Sequence, residues 1–257
     1  MSSKRRLSLL ILNIIMFAVT VGINSLAGAT TLLNGKTTGQ VSDSYPTLIT
    51  PQGFTFSIWS IIYILLGAFV VYQILPRNRD KPFNERINFL FILSCLLNVS
   101  WIFLWQYGHF AYSVIFIFAL LASLIAIYLR LDIGKTAVPL GERICVQLPF
   151  SVYMGWITVA SIANVAVALT ASNWNGFGIA ASTWAALVIA VALVITLIMI
   201  VMRRDVAYSL VIIWALYGIM SKQSGNSTVF WSTGVSIIVI IIALAVLIIA
   251  SRMKKQR

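Results

Sequence analysis

The chain has 257 residues, of which 60% are hydrophobic and only 9% are charged. Soluble domains carry charge on about a quarter of their residues, so this composition excludes a soluble globular protein and indicates one that lies in lipid. The formal net charge of +12 comes from basic residues spread over short segments. A nucleic-acid-binding protein would gather them on one polar face, so we predict no nucleic-acid partner.

Eight apolar stretches follow one another along the chain. They cover residues 7–28, 52–75, 87–107, 110–129, 144–170, 178–202, 206–221 and 228–251. A helix needs about 20 residues to cross the hydrocarbon layer, and barrel strands would instead alternate apolar and polar residues. We therefore predict an all-α fold, a polytopic membrane helix bundle of about eight transmembrane helices. The seventh stretch is the shortest.

The basic residues are distributed unevenly between alternate connecting segments. Of the 18 Lys and Arg residues, only Lys36 and Lys222 fall in the segments that follow odd-numbered stretches. The others are Lys4, Arg5, Arg6, Arg77, Arg79, Lys81, Arg86, Arg130, Lys135, Arg143, Arg203, Arg204, Arg252, Lys254, Lys255 and Arg257. Because cytoplasmic loops collect Lys and Arg, we place both termini in the cytoplasm of a multi-pass plasma-membrane protein. Membrane lipid is an expected partner, since anionic headgroups attract these loops.

The first apolar stretch has two interpretations. Three basic residues precede it and the small residues Ala27, Gly28 and Ala29 end it, which is also the pattern of a cleaved signal peptide. The apolar run is longer than the roughly 7 to 15 residues of a signal sequence. We therefore favour a retained membrane span.

Every charged residue and the single histidine, His109, fall in the connecting segments. The two cysteines, Cys95 and Cys145, lie apart in apolar stretches, so we predict no metal site, no cofactor and no disulfide. The sequence shows no pattern that pairs a nucleophile with a base, so we predict no catalytic residues and no enzyme. A site inside the membrane would instead use aromatic surfaces, amides and hydroxyls to bind a ligand.

The longest connecting segment, residues 29–50, is called the first loop below. It is rich in Thr, Ser and Gly and contains Tyr45. Long loops without secondary structure of their own often act as lids. A flexible tether without a role is the alternative.

Three stretches place aromatic and amide side chains on one helical face, because residues three or four apart are neighbours on a helix. The series are Thr55, Trp59 and Tyr63 in the second stretch, Asn98, Trp101 and Trp105 in the third, and Trp156, Ala160 and Asn164 in the fifth. We expect these faces to meet around an uncharged hollow. Interfacial anchoring by Trp, or helix contacts made by Asn, is the structural alternative.

The same segments resemble the TspO/MBR family of tryptophan-rich sensory and translocator proteins. Residues 51–63, PQGFTFSIWSIIY, are similar to the family's Pro-Pro-Gly turn with a following Trp and Tyr, although Gln52 replaces the second Pro. Residues 96–101, LLNVSW, resemble its Asn-x-x-Trp. Residues 148–164, LPFSVYMGWITVASIAN, resemble its series of Pro, Trp, Ala and Asn.

The resemblance implies a five-helix bundle with an apolar cavity for a porphyrin or another hydrophobic molecule. It covers residues 7–170, which predicts a TspO-like domain at 1–170 and three additional transmembrane helices with a basic tail at 171–257. By resemblance Trp59, Asn98, Trp156 and Ala160 line the cavity, and Tyr45 corresponds to the loop tyrosine. The stripes add Tyr63, Trp101 and Asn164 as ligand-binding candidates.

The leading hypothesis is an integral membrane receptor or sensor for a planar hydrophobic ligand such as a porphyrin. The alternative is a permease or translocation component, which the three added helices and an expected kink at Pro149 favour. An enzyme that acts on its ligand ranks last. The small residues Gly67, Ala68 and Gly155 permit close helix contacts, within one chain or in a homodimer.

Overall fold

The computed structural model describes residues 3–255, and among them it shows helices, turns and irregular segments but no strand. The eight long helices are α1 (Ser3–Ala29), α2 (Ile58–Ile74), α3 (Leu90–Gln106), α4 (Phe110–Arg130), α5 (Leu148–Ala171), α6 (Ala181–Arg203), α7 (Val206–Lys222) and α8 (Ser227–Lys255). The predicted all-α fold is therefore confirmed. The side chains of Lys4, Arg5, Lys254, Lys255 and Arg257, which entered the charge count, lie outside the described part.

Six helical segments in the described part are long and apolar enough to cross a membrane. They are Arg6–Ala29, Gly53–Ile74, Phe110–Arg130, Leu140–Ala171, Ala181–Arg203 and Ser227–Met253. The other two helices, α3 and α7, are apolar but have only 17 residues each. A polytopic membrane bundle is thus confirmed, while the full number of eight spans stays a prediction.

Helix α5 lies at the centre of the bundle. In the most apolar 18-residue stretch of its segment, Leu140–Ala171, 56% of the residues are buried, against 22% in that of the α8 segment, Ser227–Met253. It packs against α2, α4 and α7, and α3 connects α1 with α4. Helices α6 and α8 pack against each other and against α7. The contact between α5 and α7 therefore joins the last three helices to the first five.

Two of the small residues singled out from the sequence serve contacts within the chain. A β-carbon on Gly155 of α5 would lie 3.2 Å from Val211 and 3.3 Å from the Tyr208 carbonyl oxygen of α7. A β-carbon on Gly67 of α2 would lie 3.4 Å from the Phe17 ring of α1. Close approach of these helix pairs explains both glycines, and the homodimer stays a prediction.

The irregular part of the fifth span precedes Pro149 and does not interrupt the helix after it. Residues Arg143–Gln147 form a π-helical turn, and Pro149 lies in the first turn of α5. Both lie within the continuous helical segment Leu140–Ala171. Proline removes a helical N–H donor, and the π-helical turn before it is a usual site of helix bending. The expected kink at Pro149 stays a prediction.

Ion pairs join connecting segments that the charge count assigns to the same side. Arg6 pairs with Asp80 and, at 3.2 Å, with Glu85, and Arg203 pairs with Asp132 at 3.0 Å. At the opposite end of the bundle Lys222 pairs with Asp43 at 2.6 Å. The alternating path of the helices agrees with the charge pattern, and the side that faces the cytoplasm stays a prediction.

Candidate functional site

An aromatic cluster centred on Trp59 fills the space between α2, α3 and α5. The Trp59 ring stacks on Tyr63, with centroids 5.6 Å apart, and on Trp101, with centroids 6.0 Å apart. It meets Trp156 edge to face at 6.1 Å and Tyr153 at 6.2 Å. Edge-to-face and offset stacking are the favourable arrangements of aromatic rings. The structure thus brings together the indoles of the three predicted stripes.

A small cavity lies beside this cluster. Its walls include four indoles, and its volume is about 30 Å³. The lining residues carry no charge; they are Thr38, Ser42, Pro51, Phe56, Trp59, Trp101, Trp105, Trp156, Val159, Ala160, Ala163 and Asn164. The volume holds roughly one or two water molecules, whereas pockets for drug-sized ligands measure about 300–1,000 Å³. The cavity of this structure is therefore too small for a porphyrin unless its walls move.

The candidate residues divide into two groups around this cavity. Trp59, Trp101, Trp156, Ala160 and Asn164 line it. Tyr63, Asn98 and Tyr45 do not line it. Tyr63 belongs to the aromatic cluster behind Trp59, while Tyr45 packs edge to face on Phe110 of α4, with ring centroids 4.7 Å apart.

Asn98 is fully buried, and its hydrogen bonds tie three helices together. Its Nδ2 donates to the Tyr153 hydroxyl of α5 at 2.8 Å, and its Oδ1 accepts from Asn24 Nδ2 of α1 at 2.6 Å. These bonds occupy the amide that was expected to meet a polar edge of the ligand. The ligand role of Asn98 stays a prediction, and its observed contacts are structural.

Asn164 fixes the position of Trp101 in the cavity wall. Its Oδ1 accepts from Trp101 Nε1 at 2.7 Å, and its Nδ2 donates to Ser113 Oγ of α4 at 2.8 Å. The neighbouring indole of Trp105 donates to the Thr38 carbonyl oxygen of the first loop at 3.3 Å. These two indole N–H groups thus have acceptors within the protein.

The indole of Trp156 differs, because its N–H has no acceptor. Trp156 is 2% exposed, it lines the cavity, and its Nε1 makes no hydrogen bond. The hydroxyl of Thr55, in the turn before α2, is likewise buried without a partner. Buried polar groups without partners are uncommon, and each carries a desolvation cost that a ligand atom could offset.

The first loop is ordered, in contrast to the structureless segment expected from the sequence. It contains the short helix Thr38–Asp43, which a capping box begins: Gln40 N donates to Thr37 Oγ1 at 3.3 Å, and Thr37 N donates to Gln40 Oε1 at 2.8 Å. The sequence signal for it was Thr37 with a Gln three residues later. Through Thr38 and Ser42 this helix covers the cavity.

Two helices hold the first loop at their C-terminal ends. At α3, Gln106 Nε2 donates to the Lys36 carbonyl oxygen at 2.8 Å, and Asn34 Nδ2 donates to the Gln106 carbonyl oxygen at 2.7 Å. At α7, Lys222 pairs with Asp43, and Gln223 Nε2 donates to the Thr47 carbonyl oxygen at 3.3 Å. The loop therefore bridges α3 and α7 above the cavity.

One carboxylate lies deeper than its place in the sequence indicated. Asp205, between α6 and α7, is 6% exposed and accepts hydrogen bonds from Ser151 Oγ (2.6 and 2.7 Å), Tyr128 OH (2.8 Å) and Tyr208 N (3.0 Å). Only Arg204 and Asp205 separate the two helices, so this short connection draws the carboxylate inward. Asp205 caps α7 and fastens it to α4 and α5, away from the cavity.

Two other wall residues, Val159 and Ala163, escaped the sequence analysis although their spacing matches the stripe of the fifth stretch. Val159 follows Trp156 by three residues, and Ala163 follows Ala160 by three. Trp105, which the sequence placed in the stripe of the third stretch but not among the ligand-binding candidates, also lines the cavity. Each lies on the cavity face of its helix. A longer reading of the same helical period would have found them.

Comparison with known proteins gives a family match for nearly the whole chain. A family model described as TSPO-like protein matches residues 10–249. The match extends through α6 and α7 and most of α8, well past residue 170, where the resemblance seen in the sequence ended. No protein of curated function and no solved structure matches the chain.

Proposed function

The chain belongs to the TSPO-like protein family, because a model of that family matches residues 10–249, and on this basis we propose that it is a membrane receptor or sensor for a planar hydrophobic ligand. Family membership supports a membrane role of the sensor or transporter type. The proposal adds the ligand class, a porphyrin or a similar flat molecule, and the site, the cavity lined by Trp59, Trp101 and Trp156.

The observation that carries the proposal is the unpartnered indole N–H of Trp156 in a wall of aromatic rings. Indole faces stack on a flat ring system, and a donor without an acceptor favours a ligand with a polar edge. The neighbouring indole of Trp101 is bonded to Asn164 and so serves as a fixed wall. Trp156 is therefore the residue that recognises a ligand atom.

Binding requires the closed cavity to enlarge. In this proposal the first loop moves at its attachment to α7, where the acidic partner of the ion pair, Asp43, is 61% exposed, while its hydrogen bonds with Gln106 hold it at α3. Exposed ion pairs contribute about 0–1 kcal/mol, so releasing this one costs little. The ligand then enters between the short helix Thr38–Asp43 and the indoles beneath it.

Quenching of tryptophan fluorescence by protoporphyrin in detergent or nanodiscs tests the proposal. The parent protein should show saturable quenching, and Trp156→Phe should bind about tenfold more weakly, because it keeps a ring but loses the donor. Trp231→Phe is the matched control, since Trp231 is 66% exposed on α8 and should leave the affinity unchanged. Absence of saturable binding to the parent protein, or equal affinity of parent and Trp156→Phe, would contradict the proposal.

Transport of a small hydrophobic substrate is the second candidate function. The observation that favours it is the first loop, which covers the cavity at one end of the bundle and is tied to α7 through Lys222 and Asp43. A permease would release its substrate on the other side of the membrane. Substrate-dependent flux into sealed vesicles would establish transport. Binding without flux would favour the receptor function.

We also propose a binding role without catalysis. The cavity walls offer indoles, hydroxyls, an amide and aliphatic carbons, but they do not bring a nucleophile together with a base. An enzyme would release a new product, so porphyrin incubated with the protein in the dark should be recovered unchanged. A product that forms faster than in a protein-free control would contradict this part of the proposal.

The proposed orientation places both termini in the cytoplasm of the plasma membrane, with the first loop outside. Lys36 of this loop lies on the outer side in that arrangement, and Arg79 lies inside. Single cysteines are introduced at these positions in a background without Cys95 and Cys145. In whole cells a membrane-impermeant maleimide should label the cysteine at position 36 and not the one at position 79. Labelling at position 79 without labelling at position 36 would reverse the orientation.

A further inference from the structure

A second cavity lies between α5, α6 and α7, next to the one described above. Its volume is about 20 Å³. Every residue that lines it is Ile, Val, Leu or Ala. The gap exists where alanines face one another, namely Ala163 of α5, Ala192 of α6 and Ala215 of α7.

The two cavities are neighbours on either side of one strip of α5. Val159 and Ala163 line both. The first loop also reaches both, because Thr38 and Ser42 cover the aromatic cavity while Ile49 lines the aliphatic one. A shift of this loop would therefore change the walls of both spaces, which have Val159 and Ala163 in common.

The walls of the two cavities suit different chemical groups. The first has four indoles and an N–H without an acceptor, which fits a flat ring with a polar edge. The second has neither a ring nor a polar side chain, which fits a saturated or branched hydrocarbon chain.

We propose that the two cavities form one elongated site for an amphiphilic ligand, whose flat ring lies among the indoles and whose alkyl or isoprenoid chain lies between α5, α6 and α7. This inference rests on the proposed function and specifies the ligand class. It also assigns a role to α6 and α7, which supply Val188, Ile189, Ala192, Ile212, Ala215, Leu216 and Ile219 to the aliphatic wall.

The alkyl chain of the ligand gains affinity from its fit to the cavity wall rather than from leaving water. A hydrocarbon chain in the bilayer is already in an apolar medium, so burial against protein adds no hydrophobic driving force. Atoms that fill a void instead gain dispersion contacts that the lining lacked. The second cavity therefore selects the length and branching of the chain, and filling it with protein atoms should abolish that selection.

Energy transfer from tryptophan to pyrene and to 1-octylpyrene provides the test. Both probes carry the same flat ring, and only the second carries a chain. The filling variant is Ala192→Leu, because Ala192 lines the aliphatic cavity and is absent from the aromatic one. The matched control is Ala190→Leu, which adds the same atoms on the exposed face of α6.

The parent protein and Ala190→Leu should bind 1-octylpyrene more tightly than pyrene, relative to the partition of each probe into protein-free membranes. Ala192→Leu should bind pyrene like the parent protein and 1-octylpyrene about tenfold more weakly. If Ala192→Leu does not fold, Ala192→Val adds fewer atoms at the same place and should show a smaller loss of the same sign.

Two failures are distinguishable. If pyrene binds the parent protein but the filling variants and the parent protein have the same affinity for 1-octylpyrene, the aliphatic cavity holds no ligand chain and this inference is wrong. If neither probe binds the parent protein, the proposed function fails and the elongated site with it. If Ala192→Leu still binds 1-octylpyrene more tightly than pyrene by the same factor as the parent protein, the octyl chain lies in the bulk lipid and not in the cavity.

Discussion

Gly218 of α7 lies directly against Thr55, in the turn that precedes α2. A β-carbon on Gly218 would overlap Thr55 Oγ1 and would lie 3.1 Å from the β-carbon of Pro51. The backbone completes the contact, because Gln52 N donates to the Gly218 carbonyl oxygen at 3.0 Å. Trp214, one turn earlier on α7, donates from Nε1 to the Thr55 carbonyl oxygen at 3.0 Å. Helix α7 therefore supports the turn that carries Trp59 into the cavity.

Gly218→Ala should destabilise the protein by about 1–3 kcal/mol, the usual cost of overpacking, since its β-carbon meets Thr55 and Pro51. The melting temperature in detergent measures this loss. Gly225→Ala is the control, because a β-carbon there meets nothing within 4 Å. Adding Thr55→Ala to Gly218→Ala should restore part of the stability, because Thr55 Oγ1 has no hydrogen-bond partner to lose. Equal melting temperatures of Gly218→Ala and Gly225→Ala would show that Thr55 and Pro51 do not pack tightly against Gly218.

Trp101→Phe and Trp156→Phe should differ in stability although both remove the same atoms. Trp101 loses a bond to Asn164, whereas the N–H of Trp156 has no acceptor. We expect Trp101→Phe to be less stable than Trp156→Phe by on the order of 0.5–2 kcal/mol, the range for hydrogen bonds between membrane helices. Thermal melts without ligand compare the two variants. Equal stability would mean that the Trp101 bond contributes nothing net.

Asp205→Asn should destabilise the bundle by on the order of 2 kcal/mol, because the new NH₂ group faces donors from Tyr128, Ser151 and Tyr208. Asp43→Asn makes the same chemical change where the side chain is 61% exposed, and should change stability by about 0.5 kcal/mol or less. Unfolding in a denaturing detergent gives both values. Similar losses for the two variants would argue against Asp205 as a buried fastening point.

Asp132, in the segment after α4, should make stability depend on pH in acid. A hydrogen bond from the Thr136 hydroxyl (2.9 Å), together with the ion pair to Arg203, holds the pKa of Asp132 below its ordinary value. A lowered pKa means that the folded protein favours the carboxylate. Its stabilising contribution is therefore present above the ordinary pKa of an aspartate and is lost as the pH falls through the lowered value.

The melting temperatures of the parent protein and Asp132→Asn, measured from neutral to acidic pH, show this directly. The variant should melt below the parent at neutral pH, and the two curves should converge in acid. Asparagine is a suitable replacement because Asp132 has a φ of 51°, which Asn tolerates. A constant separation over the whole range would show that the carboxylate charge does not contribute.

The positions of the helices and the faces of three of them could be predicted from the sequence. A stretch such as 110–129 defines α4, Phe110–Arg130, almost to the residue, because only a helix satisfies its backbone within lipid. The four-residue steps that carry Trp59 and Tyr63 place both on one face by geometry alone. These features depend on the spacing of residues along one helix, which can be read directly from the amino-acid sequence.

The pairing of side chains between helices could not be predicted in the same way. Asn98 was expected to meet a ligand, but the rotation and height of α1 and α5 bring Asn24 and Tyr153 to its amide. The burial of Asp205 likewise depends on how α7 packs against α4 and α5. Such contacts follow from the relative placement of helices, which spacing within one helix does not contain.

Two short helices, α3 and α7, give the site a dependence on bilayer thickness. Helix α2 also has 17 residues, but the 3₁₀ turn Gly53–Ser57 before it extends its segment to 22 residues. Helices α3 and α7 have 17 residues each, and at 1.5 Å per residue each covers about 26 Å, less than the ~30 Å hydrocarbon layer. Both end beneath the first loop, so the hydrophobic mismatch falls on the two supports that hold it. A membrane relieves such mismatch by thinning locally. Lipids with longer acyl chains make that thinning more costly, so we expect the position of the first loop over the cavity to depend on acyl-chain length.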